Sequence, residues 1–366
     1  MITNQILQAT LDGLKSIARV DLAVTDPEGR VVVSTGDIKG LKNDVTGFAS
    51  SAADSQEIKG NQYFKIYDDQ SLEYILAVAG AGEDVYTLGK MAAFQVQSLS
   101  VAYRERFDKD NFFKNLLLDN LLLVDIYSRA RKLHVVGDVP RVVILAEASN
   151  TKDINILETI RNFCASKPRD FVTAVDENDV VIVKELEAPI ERVQLQEAEI
   201  DEETNGLKET LAAAGAVGIK IAFGSVASEI KEVSRSYKEA KMAADVGRIF
   251  FEDKEIIAYS GLGIGRLIYQ LPIPLCRLFI KEIFDGKDID DFDEEILPTI
   301  DKFFENSLNV SETSRQLFIH RNTLVYRLDK IQKTTGLDLR IFDDAITFKI
   351  ALMVVKYMKY MKKNEF

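Results

Sequence analysis

Apolar positions recur every three to four residues over 2–18, where Ile6, Leu7, Leu11, Leu14 and Ile17 mark a helix. The period then changes. In VDLAVTDPEGRVVVSTGD (20–37) two apolar runs flank Asp26-Pro27-Glu28-Gly29. Proline presets the second turn position and glycine is free to take positive φ, so the stretch predicts a hairpin. A polar, glycine-bearing excursion follows from Gly36 to Asn61, and YFKIYDD and LEYILAVAG then read as a second pair of strands. Helical spacing returns over 88–108 through Met91, Phe94, Val96, Leu99 and Tyr103. A second helix is expected after Asp108, running through FFKNLLLDNLL into VDIYSRARKLHV. The stretch 88–134 is either a set of ordinary core helices or a connector that dimerises.

From Pro140 the pattern is different. RVVILAEA has the unbroken apolar character of a buried strand, 153–167 reads as a helix, and FVTAVDENDVVIVKEL as a hairpin turning at Asp176-Glu177-Asn178-Asp179. An acidic helical stretch to Ala214, the strand IKIAFGS, a helix over 228–248 and EIIAYSGLG complete a β-α-β-β-α-β-α-β order. That order predicts an α+β domain on an antiparallel or mixed sheet. Pro272 and Pro274 mark a boundary, beyond which 275–366 reads as helical. The N-terminal order of helix, hairpin, excursion, hairpin and exit helix suggests a small antiparallel sheet with flanking helices, as in PAS and GAF sensor domains. The expected fold class is therefore α+β multidomain. Its parts are a PAS/GAF-like sensor (1–108), a helical connector (109–139), an α+β domain (140–271) and an all-α C-terminal domain (275–366).

Composition narrows the function. Cys164 and Cys276 stand far apart without a CxxC pair, which points to reduced thiols rather than a disulfide framework or a cysteine zinc site. His134 and His320 are the only histidines and offer no paired-histidine metal spacing. The N-terminus lacks the basic and apolar regions of a signal peptide. The longest apolar stretch, ITFKIALMVVKYM, is interrupted by Lys349 and Lys356, so no membrane span is expected and the chain reads as cytoplasmic. The formal net charge of −12 argues against a surface coated in nucleic acid. Its distribution argues otherwise: 308–363 holds 11 Lys/Arg against 5 Asp/Glu, a net of +6, while the remainder holds 35 against 53, a net of −18.

That basic segment has the pattern of a DNA-reading module. Leu297, Ile300, Phe303, Phe304 and Leu308 line a first helix; Asn309 or Ser311 can cap a short second helix ending near Leu317. Phe318, Ile319 and His320 make a tight connection to a third helix starting near Asn322. Leu324, Leu328 and Ile331 form its apolar stripe, and Asn322, Thr323, Tyr326, Arg327 and Lys330 its polar face. A short helix, a tight turn and a helix carrying Arg, Asn and Thr suit the major groove, where Arg pairs with guanine and Asn with adenine. The candidate DNA-binding residues are Arg315, His320, Arg321, Asn322, Thr323, Tyr326, Arg327 and Lys330. Arg327 and Lys330 could instead solvate an exposed face, and His320 could cap the third helix.

These residues carry a resemblance. NVSETSRQLFIHRNTLVYRLDKIQKTTGLDL, followed by FDDAITFKIALMV, closely resembles the helix-turn-helix of the PucR/CdaR group of bacterial transcription regulators. FFKNLLLDN, SYKEAKMAADVGRIFF and YSGLGIGRLIYQLP resemble that group's middle domain, a degenerate relative of the diguanylate cyclase (GGDEF) fold. VDLAVTDPEGRVVVSTGD and YILAVAGAGEDVYTLGKMA are similar to its sugar diacid recognition domain. Two departures stand out. The diacid-recognition His-x-Gly-Ala element is replaced by Val45-Thr46-Gly47-Phe48, which removes a potential donor to a dicarboxylate. Ser314 stands where alanine is common in the second helix, a small-for-small change.

No catalytic constellation emerges. A cyclase-like domain would need a Gly-Gly-Asp/Glu-Glu-Phe turn to cradle phosphate and hold metal. Asp176-Glu177-Asn178-Asp179 has acids that could hold Mg²⁺, but Asp and Asn also favour turns for conformational reasons. Gly261-Leu262-Gly263-Ile264-Gly265 lacks nucleotide-fingerprint spacing. An anionic effector would want cations and hydroxyls near the first hairpin, where Arg30, Ser34, Thr35, Lys39 and Lys42 are available; of these Arg30, Ser34, Thr35 and Lys42 are the candidate ligand-binding residues. The sequence thus leads to a non-enzymatic, ligand-responsive regulator of a carbon-source or organic-acid catabolic operon. It would need no cofactor or metal, and would bind double-stranded DNA as a homodimer or higher homo-oligomer. The competing reading is an enzyme using the middle domain for nucleotide cyclisation or hydrolysis.

Overall fold

A computed structural model describes residues 3–68, 71–149, 154–175, 179–284 and 295–364. The chain forms two compact units: 1–114 with 129–135, and 115–128 with 136–366.

The first unit is built on a five-stranded antiparallel sheet of order β2-β1-β5-β4-β3. Its strands are β1 (Leu22–Thr25), β2 (Val31–Ser34), β3 (Ser55–Ile58), β4 (Asn61–Asp68) and β5 (Ser71–Ala79). Strand β5 is central, pairing Ala23 of β1 with Ala77 and Tyr63 of β4 with the same Ala77. Because side chains alternate across a strand, Leu76 and Val78 enter one core with Leu7 and Leu11 of α1 (Asn4–Ala18) and Ala92 and Val96 of α3 (Glu83–Leu117). Ile75 and Ala77 enter the opposite core with Leu41, Val45 and Phe48 of α2 (Leu41–Ala49). Burial on both faces explains why β5 reads as a continuous apolar run. This is the small antiparallel sheet with flanking helices that the hairpins suggested.

Two expectations are corrected here. The excursion 36–61 contains helix α2 and edge strand β3, and Val45-Thr46-Gly47-Phe48 lies within α2. The two helices expected over 88–108 and after Asp108 are one continuous helix, α3, of 35 residues. It ends at Leu117, and α4 (Leu123–Lys132) is separate.

In the second unit a mixed sheet has the order β10-β9-β6-β8-β7. Its strands are β6 (Arg141–Ser149), β7 (Phe171–Ala174), β8 (Val180–Glu185), β9 (Val217–Phe223) and β10 (Ile256–Ala258); only β9–β10 pair in parallel among the described strands. Helices α5 (Ile156–Phe163) and α6 (Val193–Ala213) cover Val142, Ile144, Ile182 and Ile221 on one face. Helix α7 (Val233–Phe250) lies on the other, where the Val143 amide donates to the Ser236 hydroxyl at 3.0 Å. The element order is the expected one. The turn residues Asp176, Glu177 and Asn178 lie outside the described residues.

Beyond α8 (Gly265–Tyr269) come α9 (Ile273–Phe284), α10 (Ile296–Glu305), α11 (Val310–Gln316), α12 (Arg321–Thr335) and α13 (Phe342–Asn364). Helix α13 serves two cores. Phe348 and Ala351 join Phe284, Ile300, Phe303, Leu324, Leu328 and Ile331, while Val354 and Tyr357 join Ile249, Ile268 and Cys276. Beside this second core Arg248 of α7 pairs with Glu147 of β6 and with Asp245 at 2.6 Å, and Tyr269 of α8 donates to Asp245 at 2.8 Å.

Candidate nucleic-acid interface

The reading module is assembled from local signals. Helix α11 starts at Asn309, whose Oδ1 accepts from the amides of Ser311 and Glu312, both at 3.1 Å. Such a cap is worth about 1 kcal/mol. The helix ends in a six-to-one closure, the Ile319 amide donating to the Ser314 carbonyl at 3.1 Å, with Phe318 in the left-handed region at φ 55°. His320 follows at once as the cap of α12: its Nδ1 accepts from the Asn322 amide at 3.2 Å. The connection between helices is therefore a C-cap fused to an N-cap, which leaves no slack in the turn. Gly336, at φ 78°, closes the far end of α12.

Leu324, Leu328 and Ile331 are fully buried against α10 and α13, so α12 has one fixed face. His320, Arg321, Asn322 and Thr323 are exposed at its start, and Tyr326 is 68% exposed one turn on. Arg315 is exposed on α11 and forms a fork with Glu312, at 2.7 and 3.1 Å. Lys330 is half-buried. Arg327 differs from the rest. Its side chain is only 18% exposed, its Nη1 donates to the Thr299 hydroxyl of α10 at 2.7 Å, and its Nη2 pairs with Glu295. Its guanidinium is held against α10. Lys333, exposed and seven residues beyond Tyr326, shares that face and went unremarked in the sequence, although helical spacing alone places it there. Phe318, which the sequence places in the tight connection, is 95% exposed.

The sensor candidates are more dispersed. Thr35 is committed to the sheet, its hydroxyl accepting from the Leu22 amide at 2.9 Å and its carbonyl from Lys15 at 2.6 Å. The Ser34 hydroxyl turns to the Gly36 carbonyl. Arg30 and Lys42 are exposed, and Lys39 too. The hairpin turn and α2 approach closely: a Cβ on Gly29, which has φ +79°, would stand 2.8 Å from the Lys42 carbonyl oxygen.

Among the described residues one trio, Cys164, Asp170 and Glu203, brings potential metal-ligand atoms within 4.8 Å of one another. Its chemistry does not suit a cation. Lys167 already sits on both Glu203 oxygens at 2.9 and 2.7 Å, and Lys184 lies 3.5 Å from Asp170 and 3.6 Å from Glu203. Burial, then the neighbouring carboxylates, push the Cys164 thiol up to about 12, so the thiolate a metal needs is strongly disfavoured. Asp179, at the described end of the β7–β8 turn, faces Lys241 at 3.6 Å.

Comparison with known proteins agrees with the architecture. Residues 296–354 match the PucR C-terminal helix-turn-helix domain and residues 120–246 the GGDEF-like domain. The carbohydrate diacid regulator of Escherichia coli (strain K12) is 23% identical over 76% of this chain and 76% of its own length. The purine catabolism regulatory protein of Bacillus subtilis (strain 168) is 24% identical over 36% of this chain and 25% of that protein. The proline-responsive transcriptional activator PutR of the same organism is 28% identical over 38% of this chain and 34% of that protein. No helix among the described residues is long and apolar enough to cross a membrane. With the buried stripe and capped turn of α11–α12 in place, the chain is a DNA-binding transcriptional regulator that carries a GGDEF-like domain and a PucR-type C-terminal helix-turn-helix.

Proposed function

We propose that this regulator is cytoplasmic and non-enzymatic, responds to a small organic or sugar acid, and controls an operon for that compound's breakdown. In this reading 1–108 is the sensor, 109–139 the connector, 140–271 the relay and 275–366 the reading domain. The observation that carries the DNA half is the division of α12: Leu324, Leu328 and Ile331 buried, Asn322, Thr323 and Tyr326 exposed. Arg321, Asn322, Thr323 and Tyr326 meet the major groove, while Arg315 and Lys330 sit near phosphates. His320 fixes the helix start, and Arg327 fixes the angle of α12 to α10. Two heads in a homodimer or higher homo-oligomer read paired half-sites.

The effector half rests on the closeness of Gly29 to Lys42, which sets the exposed Arg30 and Lys42 on adjoining segments. Ser34 and Thr35 shape the hairpin between them. Two of the curated relatives are named for catabolism of, or response to, small metabolites, which supports the same class of signal. A thermal-shift screen of small organic acids tests this half. A ligand for the folded state raises Tm, and Arg30→Ala with Lys42→Ala should abolish the shift. A shift that survives both changes places the effector elsewhere.

A further inference from the structure

Over 104–110 the chain reads Arg-Glu-Arg-Phe-Asp-Lys-Asp, and every charge is mirrored by its opposite about Phe107. These residues lie inside α3, where Glu105, Arg106, Phe107 and Asp108 are all exposed, a full turn of helix without cover. Phe107 itself is 59% exposed. Helical stability in proteins comes mainly from packing one face, and an uncovered ring at the centre of that turn is unfavourable in water.

We propose that α3 pairs antiparallel with α3 of a second copy of this chain, on a two-fold axis beside Phe107. This rests on the dimeric reading above. At about 100° and 1.5 Å per residue, Arg104 and Asp108 flank Phe107 on one side of the helix, Arg106 and Asp110 on the other. A perpendicular two-fold brings Arg104 beside Asp108 of the second copy and Arg106 beside its Asp110, with the two Phe107 rings meeting between them. A parallel pair sharing this seam would set Arg104 beside Arg106 and Asp108 beside Asp110, like charge against like. The pattern therefore selects the polarity, as flanking charges do in helical coils generally. Within the chain Arg104 also pairs with Asp68, and Asp110 accepts from Lys114 at 2.9 Å. Each intermolecular pair still includes one residue, Asp108 or Arg106, with no ion pair among the described residues.

The test uses the full chain carrying single cysteines, co-expressed as differently tagged pairs and treated with a short bis-maleimide crosslinker. The native Cys164 and Cys276 are buried and serve as the background. Arg106→Cys with Asp110→Cys should crosslink between tags, and Arg104→Cys with Arg106→Cys should not. Arg106→Asp should weaken dimerisation about three- to tenfold, and adding Asp110→Arg should restore it. A chain that is monomeric by light scattering removes the dimeric reading itself. A dimer that crosslinks through Arg104→Cys with Arg106→Cys, or through neither pair, leaves that reading standing and overturns the antiparallel seam.

Discussion

Arg327 of α12 donates to the hydroxyl of Thr299 on α10 at 2.7 Å, and Thr299 is 1% exposed. A cation on the face expected to read DNA thus fastens the reading helix to its support. Arg327→Ala should cost about 1.5–3 kcal/mol of stability, the usual loss for a hydrogen bond to a charged group. Asn322→Ala, on the exposed face, should stay within about 0.5 kcal/mol of wild type. Urea denaturation of the two variants checks this; equal stabilities would show that the Arg327 contact contributes nothing.

His320 acts through its Nδ1, which accepts from the Asn322 amide. His320→Ala should lose about 0.5–2 kcal/mol, while His320→Asn, with an acceptor of similar reach, should keep most of it. Thermal melts of both variants decide the matter. An alanine variant as stable as wild type would mean that the cap does not hold in solution.

Phe318 combines near-complete exposure with φ 55°, a region unfavourable to any residue with a Cβ. Phe318→Gly relieves that strain and uncovers no core. Stability should rise by about 0.5–1 kcal/mol. A loss of stability would mean that the ring packs on something in the folded chain.

The cluster around Lys184 also makes a chemical prediction. With Cys164 buried and its thiol at about 12, the native chain should react with a thiol reagent at pH 8 no faster than it unfolds, and should react fully in denaturant. Chelator treatment should leave Tm unchanged, because ammonium groups already neutralise the carboxylates. Rapid native labelling of Cys164, or a Tm that falls with chelator, would contradict the arrangement.

What the sequence revealed follows from which forces act locally. The α12 stripe, the Asn309 cap and the first hairpin are set by periodicity and turn chemistry within a few residues, so they were legible. Strand β3, Ser-Gln-Glu-Ile, is a half-exposed edge whose order comes from pairing with β4, and its own residues carry little signal. Helix α2 is short and carries Asp44 among the buried positions of its apolar face. The continuity of α3 was hidden because 104–110 breaks the apolar period although the helix continues through it. The inward pairing of Arg327 is not legible, because its partner, Thr299, is 28 residues away and brought near only by folding.

In the function proposed above, the exposed face of α12 reads DNA. Its most direct test is the affinity of the full chain for DNA upstream of its own reading frame, measured over a series of salt concentrations. Wild-type binding should weaken steeply with salt, and Lys330→Ala should reduce the slope of log affinity against log salt by about 1. Asn322→Ala should leave the slope intact and cost about 1–3 kcal/mol on that sequence alone. Binding that ignores salt, or that survives both substitutions unchanged, would contradict the assignment of α12 as the reading helix.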